Sequence, residues 1–260
     1  MRNGLSAEDV RIATAAATAF LTPSPQLRTA PPKPSDGSEP FWIDGPLGKV
    51  PVVQMGEGRA TLLVHGWEGQ VGDFSSLIRT FLPAGYRLIA FDLPGHGASE
   101  GTTASIPDCA ETVLRIQKTF GPLHAVIGHS VGAAISVHAA GKGLHTKHMV
   151  LISAPSRYED YARRFAIRLG LSSQQTEEMI RVLDDTVDVH AVSIPETARR
   201  LSHRALFIHS MDDRVVPVSD GLANANAWPG ARLLRVEGLG HRRILHSAVV
   251  LAAALQFISD

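Results

Sequence analysis

A largely parallel β-sheet with helices on both faces is the architecture this sequence predicts, and three observations carry the prediction. Short apolar, β-rich runs alternate with helical stretches from residue 60 to the end of the chain, the pattern of crossover units that build parallel sheets. One of those runs, Leu123 to Ile127, passes directly into a small-residue helix through Gly128-His129-Ser130-Val131-Gly132. A single stretch, 156–203, breaks the rhythm with helical, Arg-rich sequence and no convincing strand.

The elements follow in order. Ile12 to Leu21 is Ala-rich and reads as a short amphipathic helix. Glu8 and Asp9 stand just ahead of it, where a secretory segment carries positive charge, so the expected location is the cytoplasm and an export signal is the alternative. Pro23, Pro25, Pro31, Pro32, Pro34 and Pro40 mark an extended strap. Phe41–Ile43 and Val50–Gln54 flank the turn Asp44-Gly45-Pro46-Leu47-Gly48 and predict an edge hairpin. Further strands are expected at Ala60–His65, Tyr86–Asp92, Leu123–Ile127, Lys147–Ser153, Ala205–Ser210 and Arg232–Val236. Helices are expected at Phe74–Leu82, Ser105–Phe120, after Ser130 as far as Gly141, around Ser219–Ala227, and at Leu245–Phe257. The organisation is then an N-terminal helix and strap over 1–40, a core built from 41–155 and 204–260, and a helical lid over 156–203.

Composition excludes several classes. Hydrophobic residues at 44% and charged residues at 19% fit a globular chain. Lys plus Arg and Asp plus Glu number 25 each, so nothing favours a nucleic-acid or anionic-membrane partner. No apolar run is long enough to cross a bilayer. The one cysteine, Cys109, leaves no internal disulfide and reads as a small apolar filler.

The chemistry centres on Ser130. A strand turning sharply into a helix strains the residue at its tip, and glycines on either side let strand and helix approach closely. The hydroxyl then stands above the sheet edge, with amide N–H groups of the helix N-terminus nearby. The competing reading is a helix-capping serine. A serine nucleophile needs a base and an orienting acid. Of the 12 histidines, His241 follows the strand Arg232–Val236 on a Gly-rich loop, and Asp212 and Asp213 follow Ala205–His209. The order Ser130, Asp213, His241 is one known arrangement of a Ser–His–Asp relay. His65, His96, His129 and His209 lack helix-face ligand spacing, so a metal site is rejected and no cofactor is implied.

With His65-Gly66-Trp67-Glu68-Gly69, Asp92-Leu93-Pro94-Gly95-His96-Gly97-Ala98-Ser99, the Gly128–Gly132 turn, Asp213-Arg214-Val215-Val216-Pro217 and Gly238-Leu239-Gly240-His241 on one chain, the sequence resembles the α/β-hydrolase fold superfamily, and within it small bacterial hydrolases with a His-Gly-Trp-Glu-Gly segment. The resemblance implies an ester hydrolase acting on a small-molecule acyl ester. Thioesterases, peptidases and carbon–carbon bond hydrolases share the fold, and so do some non-catalytic ligand-binding proteins. It selects Asp213 over Asp212 as the acid and implies an oxyanion hole from the backbone N–H groups of Trp67 and Val131. Trp67 is then either a pocket wall or a packing anchor, while His65, His96 and His129 are structural. Phe165 and Met179 of the insertion are expected to contact the acyl group. A solvated helical excursion is the alternative to a lid.

Overall fold

The computed structural model describes residues 5–24 and 39–260. Pro25, Pro31, Pro32 and Pro34 of the expected strap lie outside the described residues. Eight strands form one sheet: β1 (Phe41–Gly45), β2 (Gly48–Met55), β3 (Arg59–Val64), β4 (Tyr86–Phe91), β5 (Leu123–His129), β6 (Thr146–Ile152), β7 (Arg204–Ser210) and β8 (Arg232–Val236). Their order is β1-β2-β4-β3-β5-β6-β7-β8. The β1–β2 hairpin forms the edge, and β2 also pairs antiparallel with β4; every other pairing is parallel.

Chain direction across the sheet reverses at β3. Its neighbour on one side is the strand that follows it, β4, and on the other side β5. Crevices at the carboxyl ends of such diverging strands are where open α/β sheets bind ligands. The loops leaving β3 and β5, which carry Gly66-Trp67 and Ser130, are therefore adjacent.

The parallel strands are buried on both faces, with successive side chains serving opposite cores. Leu62, Val64, Val126, Met149, Leu151 and Phe207 join one cluster, with α3 (Ile106–Phe120) and α4 (Val131–Gly141). Leu63, Ile127, Val150, Ile152 and Ile208 join the other, with α2 (Ser75–Phe81) and the final helix. Helix α4 is apolar nearly all round because neighbours cover it on several sides; its residues Ala133, Ala134, Ile135, Val137 and Ala139 are all buried.

The final helix begins later than its periodicity suggests. Ser247 has extended backbone (φ −76°, ψ 124°), which separates a 3₁₀ turn at Ile244–His246 from Ala248–Ser259. We number this last helix α10; α9 is the single turn Gly240–Arg243, and α8 is Val218–Ala227.

Residues 156–203 contain α5 (Tyr158–Arg168), α6 (Ser173–Val187), a 3₁₀ turn at Val189–Ala191 and α7 (Ile194–Ala198). A single antiparallel bridge, Arg157 to Ser193, ties the two ends of the excursion together. Helix α7 packs on α4 and α8, whereas α6 packs on α1 (Ala7–Phe20). Helix α1 starts in a capping box in which the Ser6 hydroxyl accepts from the Asp9 N–H and the Asp9 carboxylate accepts from the Ser6 N–H. It buries Ala13, Ala16 and Ala17.

This packing corrects the placement of two residues. Met179 is fully buried in the cluster that contains the alanines of α1, and Phe165 packs on Phe20 with tilted rings, centroids 5.5 Å apart. Neither lines the cleft at Ser130. Helical spacing finds a buried stripe but not the surface that covers it, and here that surface is α1. Among the described residues, no helix is long and apolar enough to cross a membrane.

Candidate active site

Ser130 sits between β5 and α4 with φ 54° and ψ −126°, a conformation that side chains rarely adopt. The flanking glycines are sterically required. A Cβ on Gly132 would stand 2.1 Å from the Val64 carbonyl oxygen, and one on Gly128 would stand 2.6 Å from Ala133 Cα. The turn is thus wedged between β3 and α4, which holds the serine in its strained position.

His241 reaches the serine from the loop after β8. Its Nε2 lies 3.0 Å from Ser130 Oγ, and its Nδ1 lies 2.8 Å from Asp213 Oδ2. The other oxygen of Asp213 accepts from the N–H groups of Val215 and Val216, both at 2.9 Å. Burial works to raise the Asp213 pKa. The His241 hydrogen bond, the Val216 N–H, the charge of His241 and the Val215 N–H together prevail and hold the carboxyl below its ordinary value. An ionised Asp213 accepts from Nδ1–H, which leaves the Nε2 lone pair facing the Ser130 hydroxyl.

Asp212 is placed differently. It is exposed, and its Oδ1 accepts from Ser210 Oγ and, at 3.1 Å, from the Gly240 N–H. Ser210 Oγ in turn accepts from the N–H groups of Leu239 and Gly240. Asp212 and Ser210 therefore clamp the loop after β7 to the loop that carries His241. Sequence reasoning overlooked Ser210; its position at the carboxyl end of a strand beside the acid loop was the only signal.

Three further histidines support the arrangement. His65 Nε2 accepts from the Leu93 N–H at 2.8 Å, so its proton is on Nδ1, which donates to the Gly66 carbonyl at 2.7 Å. Burial lowers its pKa to about 4, in keeping with a neutral ring. The Gly66 carbonyl also accepts from the Gly69 N–H. In a trans peptide the next N–H, that of Trp67, points the opposite way. His129 donates from Nε2 to the backbone carbonyl of His241 at 2.8 Å, with the two rings 4.9 Å apart. Burial, then the nearby His241, lowers its pKa to about 3. His209 donates to the Val216 carbonyl at 2.9 Å, under the acid loop.

The cleft at Ser130 has a volume of about 340 Å³. Trp67, Glu68, Asp73, His241, Arg242 and His246 are among its lining residues. Glu68 has φ 54°, and its carboxylate accepts from the Ser24 N–H at 3.2 Å, which ties the end of the α1 segment to the rim. Val131 opens the first turn of α4, where the backbone N–H groups have no intrahelical partner. A larger groove, about 630 Å³, lies at the opposite ends of β5, β6 and β7 beside Leu144 and Arg204, away from Ser130.

Comparison with known proteins bears on the fold. A family model described as alpha/beta hydrolase fold matches residues 61–182. A pimeloyl-[acyl-carrier protein] methyl ester esterase of Xanthomonas axonopodis pv. citri (strain 306) is 26% identical, with 78% of this chain and 95% of the relative covered. Among solved structures, an esterase from Exiguobacterium antarcticum superposes with a TM-score of 0.69 at 16% identity, covering 85% of this chain and 100% of that one. A bromoperoxidase from Bacillus anthracis superposes with a TM-score of 0.66 at 16% identity, covering 82% and 96%. Likeness at such identities speaks for the fold and not for a shared reaction. Strand order, the strained turn at Ser130, the family model and the structural neighbours together make the chain an α/β-hydrolase fold protein.

Proposed function

We propose that the protein is a serine hydrolase that cleaves carboxylic esters through an acyl-enzyme on Ser130. The observation that carries the reading is the hydrogen-bonded relay Ser130 Oγ–His241–Asp213. Ser130 Oγ attacks the ester carbonyl carbon while His241 Nε2 takes its proton. Asp213 holds the imidazole and stabilises the cation that forms. The carbonyl oxygen becomes an oxyanion, received by the N–H groups of Trp67 and Val131. As the tetrahedral species collapses, His241 returns the proton to the departing alkoxide, which leaves as an alcohol. Water, deprotonated by His241, then attacks the acyl-enzyme and releases the acid and free Ser130.

The esterase names of relatives support an ester as the bond broken. The protein-bound pimeloyl group named for some of them belongs to those relatives. Within residues 156–203, α7 packs on α4, while α5 and α6 pack with α1.

The test is labelling with a small fluorophosphonate, with the adduct located by mass spectrometry, alongside a panel of nitrophenyl esters. The expected result is a single adduct on Ser130 and ester turnover that disappears with the label. An adduct on another residue, or ester turnover that persists after Ser130 is blocked, overturns the reading.

A further inference from the structure

We infer that Ser210 is a positioning residue for the base: its buried hydroxyl, together with Asp212, fixes the backbone that carries His241, and that hold sets kcat. The inference rests on the serine-hydrolase reading above and adds to it what keeps the base in reach of the nucleophile.

The segment that carries His241 does not hold its own shape. Glu237-Gly238-Leu239 leads from β8 into the single turn α9, whose second residue is His241. Gly238 and Gly240 both have positive φ, 72° and 58°. No atom lies within 4 Å of where a Cβ would stand on either, so packing does not confine them. Glycine loses more backbone freedom on ordering than any other residue. Such a segment drifts unless directed bonds fix it.

Those bonds come from the end of β7. Ser210 Oγ accepts from the Leu239 N–H at 3.3 Å and from the Gly240 N–H at 3.2 Å, the two residues just before the base. Its own proton goes to Asp212 Oδ1, which also accepts from the Gly240 N–H at 3.1 Å. One donor and two acceptor sites are all that a hydroxyl has, and every one is used. Ser210 is 0% exposed, so bulk water has no access to take over its bonds. The Ser210 hydroxyl, then the Gly240 N–H, hold the Asp212 carboxyl below its ordinary value, which keeps it an acceptor.

On the other side of the base, His129 Nε2 donates to the His241 carbonyl. The backbone is thus held just before His241 by Ser210 and at His241 itself by His129. Asp213 and Ser130 meet only the ring. A base displaced by about 1 Å costs on the order of a hundredfold in rate. The other walls of the cleft, among them Trp67, Glu68, Val215 and Leu245, make no bond to the Ser210 hydroxyl. Its loss should therefore fall on kcat and not on KM.

The experiment measures kcat and KM on nitrophenyl acetate, the rate of Ser130 labelling by the small fluorophosphonate, and the urea midpoint. The variants are Ser210→Ala, Asp212→Ala, Asp212→Asn and the double variant Ser210→Ala with Asp212→Ala. Ser210→Ala is expected to lower kcat roughly ten- to a hundredfold with KM little changed, and the labelling rate should fall in step. Asp212→Ala should lie below Asp212→Asn in kcat, because only Asn keeps an acceptor for Ser210 and the Gly240 N–H. The double variant should lose less than the product of the two single losses, since both break one clamp. A lower urea midpoint in Ser210→Ala with kcat and labelling rate at the wild-type level makes its role structural and overturns the inference. Where Ser210→Ala does not fold, the exposed position decides: equal kcat for Asp212→Ala and Asp212→Asn overturns it too. In both cases the wild type still labels on Ser130 and the serine-hydrolase reading stands. A wild type that does not label on Ser130 overturns that reading, and the inference falls with it.

Discussion

At the carboxyl edge of the sheet, position is fixed by directed bonds. Asp213 accepts two backbone N–H groups on one oxygen and His241 on the other, Ser210 and Asp212 tie the neighbouring loop, and His129 holds the His241 carbonyl. In the cover formed by α5, α6 and α1, position is fixed by apolar fit: Met179, Ile180 and Leu183 are buried in the cluster that takes in Ala13, Ala16 and Ala17, with Phe20 set between Tyr158 and Phe165. Ion pairs of the cover, such as Arg163 with Glu159 and Glu177 or Arg181 with Asp185, are partly exposed, where each contributes little. Directed bonds demand particular residue types at particular places. Apolar fit demands only volume and shape, so it tolerates substitution at some cost in stability.

The largest effects separate the two regions by chemistry. Ser130→Ala should lower ester turnover on the order of a millionfold, with the circular dichroism spectrum and thermal midpoint near those of the wild type. Asp213→Asn should cost on the order of ten-thousandfold, because Asn favours the wrong imidazole tautomer. Asp212→Asn keeps an oxygen acceptor for Ser210 and the Gly240 N–H and should cost less than tenfold, in line with surface changes away from the reacting atoms. Steady-state kcat on nitrophenyl acetate distinguishes them, and equal losses at the two aspartates would mean the relay does not run through Asp213.

That contrast also explains what the sequence made legible. Gly128 and Gly132 are readable because a Cβ at either would stand within 2.6 Å of backbone atoms, so the turn around Ser130 admits only glycine at its two flanks. The strands were readable because burial on both faces leaves continuous apolar runs. The choice between Asp212 and Asp213 came from resemblance, since both carboxylates satisfy a turn equally well in one dimension. The role of Met179 and Phe165 was not readable at all. Their spacing announces a buried face, but whether a substrate or another helix covers it depends on α1, more than 140 residues away in the chain.

Met179→Ala tests that correction. Truncating a fully buried methionine should destabilise the fold by about 2–5 kcal/mol, read as a lower urea midpoint. Acyl-length preference should stay where it is, because the side chain faces α1 and not the site. A changed butyrate-to-acetate ratio at unchanged stability would return Met179 to the pocket.

His129→Asn probes the directed bonds without touching the relay. The shorter amide reaches the His241 carbonyl poorly, so the loop should drift and kcat should fall between tenfold and a hundredfold, with KM little changed. A role confined to packing would instead lower stability and leave kcat alone.

The smallest expected effect concerns pH and again falls on the sheet edge. His96 is 1% exposed, its Nδ1 donates to the Pro94 carbonyl, and its Nε2 has no partner among the described residues. Burial, then the neighbouring His65, lowers its pKa to about 4, against the opposing Pro94 carbonyl, Asp92 and Glu68. In the unfolded chain the same ring titrates near about 6.5. Between those values the unfolded state binds the proton and the folded state does not, so stability rises with pH across the window and is lost as pH falls from about 6.5 towards 4. Each such histidine contributes a slope of about 1.4 kcal/mol per pH unit. His65 and His129 add in the same direction, with pKa values lowered to about 4 and about 3. His96→Asn removes one titrating ring, so urea unfolding at pH 7 and pH 5 should show the pH dependence reduced by one proton's worth, whatever the variant does to stability at pH 7. An unchanged slope would mean that His96 binds its proton in the folded state as readily as in the unfolded one.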